Sequence, residues 1–144
     1  MSHHQPLNPA YDACVRSSFS QQRIMEFIGA ILTSVNPGQI IIELPCRPDL
    51  TQQHGYIHAG IVTTIVDSAC GYAAFSLMPE NAGVLTVEYK VNFLSPAQGE
   101  RLIARGRVVK PGRTIFVCSG DVTVIQKGQE KSVATMLATM MSIQ

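Results

Sequence analysis

The chain has 144 residues, 46% of them apolar and only 15% charged, with a formal net charge of +1. That length suits one domain with a proper core. The near-neutral balance excludes a global field that would attract nucleic acid or a membrane surface.

So lean a charged surface points to further area buried in an oligomer. Cys14, Cys46, Cys70 and Cys118 are scattered, with no C-x-x-C pair. They read as reduced, mostly buried thiols of a cytosolic protein, and no Cys/His spacing suits zinc. The opening MSHHQPLNPAYDA lacks the apolar segment of a cleavable signal. No repeat, low-complexity tract or linker divides residues 1–144, so a single domain is expected.

Residues 1–9 read as a loose terminus. Residues 10–20 carry Tyr11, Cys14, Val15 and Phe19 at helical spacing, and residues 21–28 allow a second short helix, so residues 1–28 form a helical lead. Residues 30–35 read as a first strand, Asn36-Pro37-Gly38 as a turn, and QIIIEL at 39–44 as the hairpin partner. Pro45, Pro48 and TQQHG make a loop into the longest apolar run of the chain.

That run, HGYIHAGIVTTIVDSACGYAAFSLM, is too long for a strand and stops at Pro79, which predicts a helix over 57–78. It has the length of a membrane span, but His58, Asp67 and several hydroxyls argue against one. A helix apolar on nearly every side is buried by the rest of the fold. Gly60, Thr64, Asp67, Gly71 and Ala74 share one small, polar face; Ile61, Val62, Ile65, Val66, Ala69 and Tyr72 suit packing on a sheet. The first backbone N–H groups, around His58, Ala59 and Gly60, have no intrahelical acceptor and suit a carbonyl becoming an oxyanion. Ala59 and Asp67 lie eight residues apart, roughly 12 Å along a helix. A reacting carbonyl must sit about 3 Å from each. If both act on one atom, a second copy of the helix has to supply one of them.

After the helix the period changes to two. In residues 84–94, Leu85, Val87, Tyr89, Val91 and Phe93 alternate with Thr86, Glu88, Lys90 and Asn92. Residues 101–109 make the next strand, Lys110-Pro111-Gly112-Arg113 has the order of a type II turn, and residues 114–125 follow as a long strand. QKGQE then turns into a last strand over 132–142. One helix among six strands predicts α+β: an antiparallel sheet of about six strands wrapped round one long central helix.

This order resembles the hotdog fold, and more closely the acyl-CoA thioesterases of the phenylacetate-degradation (PaaI-like) type. The resemblance is carried by His58-Ala59-Gly60, by Asp67, by VLTVEYKVNFLSP at 84–96 and by Gly112-Arg113-Thr114. It implies hydrolysis of an acyl-CoA thioester to a free acid and coenzyme A, without metal or redox cofactor. Asp67 would attack the thioester or activate water, and the Ala59 N–H would polarise the carbonyl. Thr86 would assist near the acid, Gln52 would contact thioester or water, and His58 would orient the loop. Family members are homodimers or dimers of dimers, with Ala59 and Gln52 of one copy facing Asp67 and Thr86 of the other. Two departures bear on substrate fit: Ala59 where glycine is usual, and Gln52 where asparagine is common.

Each assignment has a plainer competitor. Asp67 could be an acid satisfied by Thr63 or Thr64, His58 a helix-start residue bonding its loop, and Thr86 an ordinary strand threonine. Gly60 belongs to the close-approach face. Lys90, Lys110, Arg113 and Arg107 are candidates for the coenzyme A phosphates, weighed against solvated charge. Ser68 and Cys70 read as core, and Met136, Met140 and Met141 as core or interface. A non-catalytic acyl-ligand module would keep the pocket without needing Asp67. A hotdog dehydratase would show a proline-rich active-site signature absent from this sequence.

Overall fold

In the computed structural model, which describes residues 3–144, two short helices, α1 (Tyr11–Gln21) and α2 (Arg23–Ile28), lead into a hairpin of β1 (Ile31–Asn36) and β2 (Gln39–Pro45). A single 3-10 turn at Pro48–Leu50 precedes the central helix α3 (Ala59–Phe75). Strands β3 (Gly83–Phe93), β4 (Arg101–Lys110), β5 (Ile115–Gln126) and β6 (Gln129–Ile143) complete the chain. All six strands form one antiparallel sheet in the order β1–β2–β4–β5–β6–β3. The expected α+β architecture is present.

Helix α3 packs across one face of this sheet, against β2, β4, β5, β6 and β3. Val62, Ile65, Val66, Ala69 and Tyr72 are buried as the periodicity predicts, while Ile61 is half-buried and Ala74 also turns into the core. The closest approach is over Gly106 and Gly120, paired on β4 and β5. A Cβ on Gly106 would run into the backbone of Ala69 and Cys70, and one on Gly120 would meet Val66 Cγ2 at 2.6 Å and Cys70 Sγ at 2.8 Å. Two facing glycines therefore let the helix backbone sit directly on the sheet.

The helix is shorter at each end than the predicted 57–78. His58 is its N-cap. At the other end the Leu77 and Met78 N–H groups bond Ala74 O and Phe75 O, tightening the chain into a turn before Pro79. No helix among the described residues is long and apolar enough to cross a membrane.

Local turn chemistry holds at two of the three hairpins. Pro37-Gly38 turns with Gly38 at φ 73, and a two-residue turn at Lys127 and Gly128, both with positive φ, joins β5 to β6. The last strand therefore starts at Gln129 rather than 132. The type II turn expected at Pro111-Gly112 is absent, because Gly112 does not have positive φ. What Gly112 provides is room, since a Cβ there would strike the Ile115 carbonyl.

The loose terminus expected at residues 1–9 is tied down from His4 onward; Met1 and Ser2 lie outside the described residues. His4 bonds Val108 O, and the Leu7 N–H bonds Leu77 O. Asn8 is buried, accepting from the Ala10 N–H and donating to Cys14 Sγ.

The least expected feature is where β3 lies. It pairs with β6, not with its successor β4. The linker at 94–100 crosses the end of the sheet and is held at several points. Leu94 N bonds Val133 O, Glu100 N bonds Ile125 O, and Ala97 O accepts the Ile57 N–H. This leaves β3 on the sheet edge.

Candidate active site

Asp67 lies mid-way along α3, half-buried, where a carboxylate needs a partner. Thr63 and Thr64 do not supply one, because their hydroxyls donate back to Ala59 O at 2.9 Å and Gly60 O at 2.8 Å. The partner comes from β3: the Thr86 hydroxyl donates to Asp67 Oδ1 at 2.8 Å. Strict alternation would have put Thr86 on the far face with Glu88 and Lys90. A β-bulge between Thr86 and Glu88 inverts the phase. Thr86 lies opposite the buried Met140, and Tyr89, Val91 and Phe93 opposite Ala138, Met136 and Ala134, all buried. Thr86 therefore faces the helix together with the aromatic and aliphatic residues that follow.

Burial pushes the Asp67 carboxyl above its ordinary value, and the Thr86 hydrogen bond works in the opposite direction. Asp67 Oδ2 has no hydrogen-bond donor among the described residues. Neighbouring Cys70 is fully buried, and that burial pushes its thiol far up, so it stays neutral.

The start of α3 forms a second cluster. His58 Nδ1 accepts the Gly60 N–H at 2.8 Å, while the His58 N–H bonds Leu50 O. Of the three donors expected to be free there, only the Ala59 N–H has no acceptor among the described residues. A Cβ on Gly60 would lie 3.0 Å from His58 Nδ1, so a side chain there would press on the capping ring. Gln52 holds the preceding loop: its Oε1 accepts from His54 N at 2.6 Å and Tyr56 N at 3.2 Å. Its side-chain NH2 keeps no acceptor among the described residues, and it borders a groove of about 400 Å³ together with Ala59, Phe93 and Pro96.

Two further grooves meet at Asp67. One, of about 500 Å³, runs along α3 from Ala59 past Thr63 and Thr64 under Tyr89, Val91 and Phe93. The other, of about 440 Å³, continues past Gly71 to Tyr72, Phe75 and Val84. Tyr72 is fixed there by ring contacts to Phe19 and Phe75 and by a 3.2 Å hydrogen bond to Ser18. Asp67 thus joins two arms of one trough, with the unclaimed Ala59 N–H at the far end of one arm.

The basic candidates lie elsewhere. Lys90 is opposite the exposed Leu137 on the outer sheet face. Arg107 is paired with Asp121 at 3.2 Å. Lys110 is exposed at the end of β4, and Arg113 borders a separate groove with Leu7, Leu77 and Phe116. None of the four is gathered with Asp67 within one chain. No cluster of three His, Cys, Asp or Glu suited to a metal occurs among the described residues. Ser68, read as core, and Gln22, not singled out at all, both border the trough. Nothing in local periodicity marks Gln22, because it reaches the site only through the packing of the lead on α3.

The Thioesterase superfamily pattern matches residues 54–131, more than half of the chain. The chain belongs to the Thioesterase superfamily. This thioesterase is 53% identical to a thioesterase family protein from Silicibacter pomeroyi, whose crystal structure matches with a TM-score of 0.91 over 92% of this chain and 98% of that one. Human acyl-coenzyme A thioesterase 13 is 31% identical over 93 residues, which are 64% of this chain and 66% of its own. The Escherichia coli PaaI protein of the phenylacetic acid degradation operon shares the fold, with a TM-score of 0.85 at 18% identity over 96% of each chain. The thioesterase has the hotdog fold and is a thioester hydrolase, as the resemblance implied.

Proposed function

We propose that the chain hydrolyses acyl-coenzyme A thioesters, with Asp67 as general base and the Ala59 N–H as the electrophilic donor. The observation that carries this reading is the half-buried Asp67, bonded by the Thr86 hydroxyl, at the junction of a trough that ends on an unclaimed helix N-terminal N–H. A carboxyl raised by burial is a better proton acceptor than an ordinary one. Thr86 occupies Oδ1, so Oδ2 takes a proton from water as its oxygen bonds to the carbonyl carbon. The Ala59 N–H holds the resulting oxyanion, with the free Gln52 NH2 beside it. Collapse breaks the carbon–sulfur bond, and Asp67 returns the proton to the leaving thiolate. His58 keeps the donor end in place through Gly60, and Gly60 leaves room for the chain of the substrate. Lys90, Lys110 and Arg113 remain candidates for the coenzyme phosphates only from a neighbouring copy. No cofactor enters these steps.

Two copies complete each site in this reading. Edge strand β3 has apolar side chains on both faces, with Leu85 51% exposed on one and Tyr89 46% exposed on the other. An unpaired edge of 11 residues is a template for a second β3. Such pairing lays a second α3 alongside the first. Ala59 and Gln52 of one copy then face Asp67 and Thr86 of the other, which removes the distance conflict of roughly 12 Å.

The test is thiol release over a panel of aryl- and alkyl-acyl-CoA substrates, for the parent and Asp67→Ala. Turnover by the parent and a loss of about a hundredfold or more in the variant are expected. A parent that binds these thioesters without cleaving them, or a variant that keeps its rate, would overturn the reading.

A further inference from the structure

The lead helices are interrupted at Gln22, whose backbone is extended at φ −82 and ψ 93. Its main chain is satisfied, with N–H bonded to Phe19 O and C=O accepting from Met25 N. As the N-cap of α2, Gln22 makes no side-chain capping bond. The side chain crosses to α3 instead, where Oε1 accepts from the Ser68 hydroxyl at 3.4 Å. Its NH2 group has no acceptor among the described residues. The neighbouring Gln21 differs, since its amide donates to Ser17 Oγ at 3.5 Å.

The position of Gln22 is specific. The two arms of the trough share three residues, Gln22, Asp67 and Ser68. A ligand lying along α3 therefore has its middle, where acyl and thiol portions join, beneath Gln22 and beside Asp67. The attacking water needs an acceptor for its proton and a donor to aim its oxygen. Asp67 Oδ2 is such an acceptor, and the Thr86 hydroxyl is already given to Oδ1.

We propose that Gln22 holds the attacking water, its side-chain N–H donating to the water oxygen while Asp67 takes the water proton. Ser68 is a positioning residue that fixes the amide by donating to Oε1. The active site thus includes the junction of α1 and α2, outside the part of the chain where the superfamily pattern matches. This inference rests on Asp67 being the base, as set out above.

Steady-state thiol release by Gln22→Met, which keeps length without polar atoms, tests it. The substrate is the best-cleaved acyl-CoA, and Asp67→Ala is assayed in parallel. A kcat lowered about tenfold to a hundredfold with KM changed less than about threefold is expected. Gln22→Glu keeps the acceptor for Ser68 but loses the donor and adds a charge. The acid limb of its kcat/KM profile is expected to move to higher pH, a shift that a mere packing role would not produce. Among the described residues, the titratable group that interacts with Asp67 is Cys70, its neighbour on α3; Thr86, which contacts it from β3, does not titrate. Unchanged kcat in Gln22→Met with activity still dependent on Asp67 would overturn the water-holding role alone. Loss of dependence on Asp67 would overturn the base assignment beneath it. If Gln22→Met does not fold, the limb of Gln22→Glu decides, and an unmoved limb counts against the proposal.

Discussion

Ala59 is the first residue of α3 and follows a residue at φ −58 and ψ 137, a backbone that tolerates a following proline. Proline is favoured at the first helical position and lacks an N–H. Ala59→Pro should therefore keep the helix and remove the N–H proposed as the oxyanion donor. Its kcat should fall about a hundredfold to a thousandfold with an unchanged melting temperature, read by thiol release and thermal unfolding. Asp67 allows a test on stability. Its carboxyl is raised in the fold by burial, so the folded chain holds this proton more tightly than the unfolded chain. The associated stability is present below the ordinary carboxylate value and is lost as pH rises through the raised one. At neutral pH the ionised group is a net cost. Asp67→Asn should be inactive and more stable than the parent at neutral pH, with the gap closing in acid. Urea unfolding over a pH series reads both the sign and the closure.

At the scale of elements, α3 and the sheet meet through two kinds of glycine. Gly106 is pressed against the helix backbone, so its Cβ has nowhere to go. Gly71 lies on the helix face toward the trough, and a Cβ there meets nothing within 4 Å. Gly106→Ala should lower stability by about 3 kcal/mol, because backbone rather than a flexible side chain must yield. Gly71→Ala should raise it by about 0.5–1 kcal/mol through helix propensity, while narrowing the arm toward Tyr72 and Phe75. Denaturant midpoints separate the two, and a raised KM for bulky acyl groups in Gly71→Ala would show which arm takes the acyl chain. The bulge at 86–88 belongs to this scale as well. One inserted residue re-aims Thr86 from solvent to Asp67 and leaves Leu85 and Val87 exposed on the edge.

For the whole molecule, shared sites can be tested by mixing. Asp67→Ala and Ala59→Pro chains should each be inactive alone. In a mixed dimer with composite sites, one site carries both lesions and the other carries neither. Unfolding and refolding them together at equal amounts should restore about a quarter of parental activity, since half the dimers are mixed and each holds one intact site. Sites confined to one chain would give no recovery. Sedimentation of the parent should show a species of at least two chains.

Much of this arrangement was legible in the chain itself. The buried helix, its acid and the six strands follow from local periodicity, because period and side-chain volume are local properties that burial reads directly. The limits of α3 were less so. Its N-terminus depends on the His58–Gly60 contact, and its C-terminus on a tightening of the last turn. Long-range geometry alone decided three things. Pairing of β3 with β6 rather than β4 depends on a crossing linker tied to remote carbonyls. The face of Thr86 depends on a bulge defined only against a partner strand. The place of Gln22 depends on how the lead docks on α3. Composition and period determined which residues are buried and where a carboxylate would be out of place. Tertiary packing decided what that carboxylate touches, because hydrogen-bond partners are set by distance in space and not by spacing along the chain.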